Sequence, residues 1–227
     1  MKKWLALATL PLAYSIGATV YWRTKKTEHI THQLHSPNTL YLTFDDGPHP
    51  IYTAKLLDLL KQYQAKATFF VVGELASQHP ELLRRMHDEG HAIGIHHYEH
   101  KSAWLLTPKA LRQQIEKTRQ IIYHSTGVRT HLYRPPWGHL NAASIPIAKH
   151  DYIILWSHIF KDWKAQTHNL AQLKHPMPDG AILLLHDNGD TKGADATAPI
   201  HMLAALEPFL AQATQHFLAL PGEDYDA

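Results

Sequence analysis

Residues 40–72, LYLTFDDGPHPIYTAKLLDLLKQYQAKATFFVV, set the architectural rhythm of the chain. The apolar run LYLTF (40–44) breaks at Asp45 and Asp46, turns at Gly47-Pro48, and gives way to a helical apolar spacing near 52–63. A second apolar run, ATFFVV (67–72), follows. This is a strand, a helix and a strand, a βαβ unit. The alternation continues outward with a helix near 80–89, HAIGI at 91–95, a helix from Pro108 to about Ser125, LYR at 132–134 and a short helix near 141–149. YIILW at 152–156, a helix near 167–175, AILLLH at 181–186, a helix near 197–215 and a last strand near 217–220 complete it. About seven strands separated by helices predict an α/β fold with a parallel sheet closed into a barrel. In such a fold the carboxyl ends of the strands converge on one mouth, where the chemistry belongs.

The composition agrees with one folded domain plus a tail. The 227 residues are 44% hydrophobic and 19% charged, which excludes disorder for most of the chain. The absence of cysteine excludes disulfides, a thiolate zinc site and a cysteine nucleophile, so any metal must be held by His, Asp or Glu. Residues 1–26 carry five cations and no acid, which leaves the body of the chain slightly acidic despite a formal charge of +2. A body of that charge has no bias toward phosphate backbones, and no nucleic-acid partner is expected.

Residues 1–26 read as a membrane anchor or signal segment. Trp4 to Trp22 contains no charge, and at about 1.5 Å per residue it nearly covers a hydrocarbon core of about 30 Å. Aromatic residues stand at both ends and cations flank them. An N-terminal transmembrane helix through residues 4–22, with the folded domain on the outer face of the cell membrane, is one reading. Secretion after cleavage within residues 1–18, where Ser15, Gly17 and Ala18 are small, is the other. A buried helix of a cytosolic domain is opposed by Pro11 and by the lack of a polar face. Residues 27–38 read as a linker, 39–222 as the folded domain and 223–227 as a tail.

Chemistry-bearing residues stand at the ends of the expected strands. Asp45 and Asp46 leave the first strand side by side, an arrangement that raises one pKa unless a cation intervenes; a helix N-cap is the bland alternative. GIHHYEH sets His96 and His100 four residues apart, on one face if the segment turns helically, with His91 and His97 as decoys. Asp46, His96 and His100 together offer one oxygen and two nitrogens and leave coordination positions for water, as a catalytic divalent site requires. Arg134, before the stiff Pro135-Pro136 turn, is a partner for Asp45 or a surface arginine. His186 emerges from an apolar run as a core imidazole or, with Asp162 beside it, as a proton donor near neutral pH. Trp104, Trp137 and Trp163 are aromatics that either stand exposed near these strand ends or pack in the core.

TFDDGP, the HxxxH segment, RPPWG, the Asp162-Trp163 pair and LLLHD, in this order, resemble the polysaccharide deacetylase family (NodB-homology domain, carbohydrate esterase family 4) over about residues 38–220. The resemblance implies a distorted (β/α)7-type barrel of parallel strands that removes N-acetyl groups from amino sugars of a cell-envelope or extracellular glycan. The implied glycans are peptidoglycan, a chitin-like polymer or poly-N-acetylglucosamine. It assigns Asp45 as general base, His186 as general acid tuned by Asp162, and Arg134 as the holder of Asp45. Asp46, His96 and His100 would bind one divalent metal, usually Zn2+, with Co2+ or another divalent ion as the alternative. Trp163 would line the acetyl pocket and the Trp137 backbone N–H would face the oxyanion. Two positions depart from the family pattern: His97 stands where Ser or Thr is frequent, and Trp137 where Tyr is usual. A monomer is expected. The competing functions are a catalytically inactive glycan-binding envelope protein and a hydrolase of a small amide or ester.

Overall fold

The computed structural model describes residues 11–25, 27, 29–165 and 167–225. Its strands are β1 (Ile30–Thr31), β2 (Thr39–Asp45), β3 (Ala67–Val71), β4 (Ala92–Ile95), β5 (Val128–Thr130), β6 (Leu132–Tyr133), β7 (Tyr152–Ile154), β8 (His158–Ile159), β9 (Ala181–His186), β10 (His216–Phe217) and β11 (Glu223–Tyr225). The helices are α1 (Ala18–Thr24), α2 (Tyr52–Gln62), α3 (Gly73–Gln78), α4 (Pro80–Asp88), α5 (Pro108–Thr126), α6 (Ser144–Ile147) and α7 (Ala198–Ala211). The main sheet runs β1-β7-β6-β4-β3-β2-β9-β8, with β10 beside β2, and its ladders are parallel.

The sheet is a half-barrel, which corrects the expectation of a closed one. β7, next to the edge strand β1, and β8, at the other edge, lie far apart in the strand order although only residues 155–157 separate them in the chain. That short segment crosses the gap by changing partner: Leu155 N donates to Thr31 O at 2.8 Å, and Ser157 N to Ile182 O at 3.0 Å. Two-residue strands at both edges are too short to zip a ladder across it. Residues 167–175 also differ from expectation, forming a 3-10 turn at Thr167–Gln172, and the last strand of the main sheet is His216–Phe217 rather than 217–220.

Strand alternation decides what faces the interior. Leu40, Leu42 and Phe44 of β2 point outward into the main core with Leu56, Leu57 and Leu60 of α2. The opposite face joins Tyr41 to Phe70, Ala92, Leu132, Ile154 and Ile182 in a second, smaller core inside the half-barrel. Continuing that inward register by twos brings β2 to Asp45, β4 to His96, β6 to Arg134 and β9 to His186. The last inward position of each of these strands is thus one of the polar residues singled out in the sequence. Gly94, inward on β4, leaves room for Phe70, whose ring would lie 2.5 Å from a Cβ there.

The longest helix starts where its sequence predicts. Thr107 accepts a bond from Ala110 N at 3.3 Å, Pro108 follows, and Gly127 ends the helix with φ 75. At the other end of the chain, residues 11–24 form one helix with a π turn at Ala13–Gly17. Its Ala18 and Thr19 are buried against the domain. Among the described residues no helix is long and apolar enough to cross a membrane, and residues 1–10 of the expected span lie outside them. Leu12, Ile16, Val20 and Tyr21 remain exposed on this helix.

Candidate active site

Arg134 is fully buried at the bottom of the pocket, not on the surface. Its Nη1 donates to Asp45 Oδ1 at 2.7 Å and to Thr43 Oγ1 at 2.8 Å, while Nε and Nη2 donate to the Ile154 and Leu155 carbonyls, each at 3.0 Å. Thr43 can accept because its own hydrogen goes to Leu183 O. Burial draws the guanidinium down from its ordinary value, opposed by the charge and hydrogen bond of Asp45. An arginine so placed fixes Asp45 in one orientation with Oδ2 left toward the pocket. Arg134→Met should therefore destabilise the fold by about 3–5 kcal/mol, because it strands a buried carboxylate. Urea denaturation measures this, and a loss below about 1 kcal/mol would mean the pair carries no such weight.

Asp46 Oδ1 lies 2.9 Å from His100 Nε2 and 3.3 Å from His96 Nε2, and the three ligand atoms all fall within 4.8 Å of one another. His96 Nδ1 is 2.8 Å from Arg134 O, a carbonyl that can only accept. The neutral ring therefore carries its hydrogen on Nδ1 and turns the Nε2 lone pair toward Asp46 Oδ1 and, at 3.8 Å, Asp45 Oδ2. Acceptors facing one another at this range call for a shared cation, and the donor set of two imidazoles and a carboxylate fits a divalent transition metal. Burial pushes the Asp46 carboxyl up, but its contacts with His100 and His96 and the charges of His100 and His186 outweigh it and hold it well below the usual range. Thr191 Oγ1 donates to Asp46 Oδ2 at 2.6 Å and Asn188 Nδ2 to Asp46 O at 3.1 Å, so the loop after β9 orients this carboxylate.

The two histidines do not converge by a helical turn, as their spacing predicted. The segment is a loop with positive φ at His97 (63) and His100 (47), close to Asp46 (76) and Trp137 (56). Such left-handed positions cost free energy and persist where the surroundings hold them. Here Gly73 N and Glu74 N donate to the His97 and Tyr98 carbonyls at 2.9 and 2.8 Å, and Gln114 Oε1 accepts from Tyr98 N and Glu99 N. His97 points away from the cluster, bonded to Lys101 O and Tyr133 OH, and burial pushes it down to about 3. It braces the loop as a neutral ring. His91 accepts from Ala67 N and lies outside the pocket.

Across the pocket, His186 Nδ1 donates to Asp162 Oδ1 at 2.9 Å and His186 N to Asp162 Oδ2 at 2.7 Å. Burial lowers this imidazole's proton affinity. The Asp162 carboxylate, by charge and hydrogen bond, and then Asp46 and Asp45 outweigh burial and raise it to about 9. With Nδ1 committed, Nε2–H is the side left for a ligand. Trp163 stands edge-on to His186 at 5.2 Å between centroids, and Trp137 leans over His100 at 4.5 Å. The Trp137 backbone N–H has no partner among the described residues. Trp104 is not part of the pocket; it stacks on His139 and bonds Thr19.

Sequence reasoning passed over Trp156, which lines the pocket, and Asp187. Asp187 is buried beside Gly47, where any Cβ would collide with its carboxyl group, and it accepts a bond from Thr53 Oγ1. Burial raises Asp187 to about 7 against the pull of that hydrogen bond. Its signal was the acid directly after His186 in LLLHD.

A profile of the polysaccharide deacetylase family matches residues 32–152. A peptidoglycan-N-acetylglucosamine deacetylase of Bacillus cereus is 35% identical over 185 residues, covering 79% of this chain and 66% of that one. The peptidoglycan-N-acetylmuramic acid deacetylase PdaA of Bacillus subtilis is 37% identical over 160 residues, 65% of this chain and 59% of that one. The match thus spans less than two thirds of each of these relatives. A crystal structure of a peptidoglycan N-acetylglucosamine deacetylase bound to 4-naphthalen-1-yl-N-oxidanyl-benzamide superposes with a TM-score of 0.72 at 31% identity, over 85% of this chain and 90% of that one.

Proposed function

Because the chain belongs to the polysaccharide deacetylase family, we propose that it hydrolyses the N-acetyl group of amino sugars in peptidoglycan, using a divalent ion held by Asp46, His96 and His100. One observation carries this reading: the Nε2 atoms of His96 and His100 and the Asp46 carboxylate meet beside an arginine-held carboxylate and opposite an acid-paired imidazole. The relatives' names supply the substrate class, peptidoglycan. Zinc is the ion this donor set favours.

The chemistry such an ion supplies when bound is Lewis acidity toward a carbonyl oxygen and toward water. Asp45 Oδ2, the oxygen Arg134 leaves available, takes a proton from the attacking water. The oxygen adds to the acetyl carbon, and the Trp137 N–H donates to the developing oxyanion, a class of contact worth about 100- to 1000-fold in rate. His186 Nε2–H then protonates the departing nitrogen as the carbon–nitrogen bond breaks, giving acetate and a free amine. Trp163 walls the acetyl methyl from water.

The test is acetate release by the full chain from isolated peptidoglycan and from chitooligomers, with and without a chelator. Chelator-sensitive release from peptidoglycan supports the reading. Glycan binding without release would make the protein an inactive binder, and release only from small amides or esters would move it to another hydrolase class.

His186 acts while protonated, so activity is present below its pKa and falls as pH rises through it. A cation at Asp46 offsets part of that carboxylate's pull, which places the basic limb below about 9. Asp162→Asn removes the main raising influence and leaves burial to lower the pKa. The basic limb of kcat should then move to lower pH while the acid limb, set by the base, stays in place. A limb that does not move would separate Asp162 from proton donation.

The N-terminal segment is proposed to hold the domain at the outer face of the cell membrane through the uncharged residues 4–10 and the exposed Leu12, Ile16 and Val20, while Tyr14 and Thr19 on the other face bond to the domain. Recovery of the protein in the soluble fraction after gentle lysis would overturn that placement.

A further inference from the structure

The N-terminal helix reaches Trp156, one of the residues that line the catalytic pocket. Thr19 Oγ1 donates to Leu140 O at 2.5 Å and accepts from Leu140 N at 3.0 Å and Trp104 Nε1 at 2.8 Å. Tyr14 OH donates to Leu106 O at 3.2 Å, and Ala142 N donates to Tyr14 O at 2.8 Å. These bonds fix both the depth and the rotation of the helix. One turn beyond Thr19, on the same face, stands Arg23. Its guanidinium lies 5.5 Å from the centre of the Trp156 ring, and its Nη1 is 3.6 Å from the point a Cβ of Gly138 would occupy. Gly138, at φ 65 and without a side chain, leaves that space open between Trp137 and Trp156, both of which line the pocket.

No carboxylate among the described residues pairs with Arg23. The acids of the pocket floor are engaged, Asp45 by Arg134 and Asp46 by the two histidines. The acids of the loop after β9 are engaged too, Asp190 facing His49 and Asp195 facing Lys164. Lys192, exposed on that loop, lines the other side of the pocket and is also without an acidic partner. One cation thus lines the pocket and a second stands over the Trp156 ring that walls it, and a guanidinium resting on an indole face keeps its in-plane N–H groups available to a carboxylate. A neutral polymer of N-acetylglucosamine would leave those donors unused.

We propose that Arg23, carried by the N-terminal helix, binds a carboxylate of the glycan next to the reacting acetamide, so that the preferred unit is an acidic amino sugar of the N-acetylmuramic acid type. This rests on the deacetylase reading of the same pocket, and the experiment keeps the two apart. Isothermal titration of the full-length, zinc-loaded protein compares a disaccharide of N-acetylglucosamine and N-acetylmuramic acid with the same disaccharide carrying its lactyl carboxylate as a neutral amide. The wild type should prefer the acid form, and Arg23→Gln should reduce that preference on the order of ten-fold. Arg23→Lys should restore part of it. Thr19→Val, which loosens the helix, should weaken the preference in the same direction. An unchanged preference in Arg23→Gln, or a wild type that does not distinguish the two ligands, overturns the proposal. Acetate release measured in parallel reports on the deacetylase reading separately, because selective binding without release would overturn that reading and leave the Arg23 assignment standing.

Discussion

Asp46→Asn and His96→Ala enzymes are expected to purify without stoichiometric divalent ion and to release acetate at no more than about a thousandth of the wild-type rate, since Lewis-acid stabilisation is worth several kcal/mol and each 1.4 kcal/mol is ten-fold. Asparagine is the better replacement at Asp46, because that residue sits at φ 76, where Asn is tolerated and alanine adds strain. Asp46→Ala should lose the ion as well, with some added loss of stability. Elemental analysis of the purified variants and acetate assays before and after chelation check this together. Full activity of either variant after chelation would refute the assignment of the three residues, and with it the catalytic scheme.

His186→Gln should behave differently. The glutamine keeps a polar side chain at the end of β9 but cannot deliver a proton, so kcat should fall by about 100- to 10,000-fold while the bound metal stays at the wild-type level. The pH profile should lose its basic limb, because the group whose deprotonation produced that limb is gone. Loss of metal in His186→Gln would mean that the residue supports the ion site rather than the leaving group. A kcat within about three-fold of wild type would give the proton to another residue. Read with the ligand variants, this separates the two halves of the pocket: one set of residues retains the ion, the other completes the bond cleavage.

The long strands were legible because every one of their positions carries information. β2 is buried at all seven residues and β9 at all but its last, and their apolar runs stop abruptly at Asp45 and His186. The helix Pro108–Thr126 was legible from its Pro start and its length, whereas its stop at Gly127 was seen only in the structure. β5, β8 and β10 were not, since two or three residues cannot display a period, and their extended form is imposed by the strands beside them. The six-residue α3 was missed for the same reason. The N-terminal helix carries a second role that its composition did not display. Its composition is that of a membrane segment, yet the described part buries Ala18 and Thr19 on the domain, because the hydroxyl of Thr19 finds three partners on residues far away in sequence.

By itself the sequence determined which chemical groups are present and that they stand at the ends of strands: the paired aspartates after LYLTF, the two histidines after HAIGI, the arginine before two prolines and the histidine after AILLL. Those are local facts, written in side-chain type and in the two-residue period of a strand. Only the tertiary structure decided that the sheet stays open, that Arg134 reaches across 89 residues to Asp45, that His96 gives Nδ1 to the Arg134 carbonyl and leaves Nε2 toward Asp46, and that Arg23 stands over the Trp156 ring. Each of these depends on which backbone carbonyl, ring or carboxylate another segment brings within about 3 to 6 Å. Hydrogen bonds and charge pairs fall away steeply beyond that range, so chemistry of this kind comes into being only when the chain has folded.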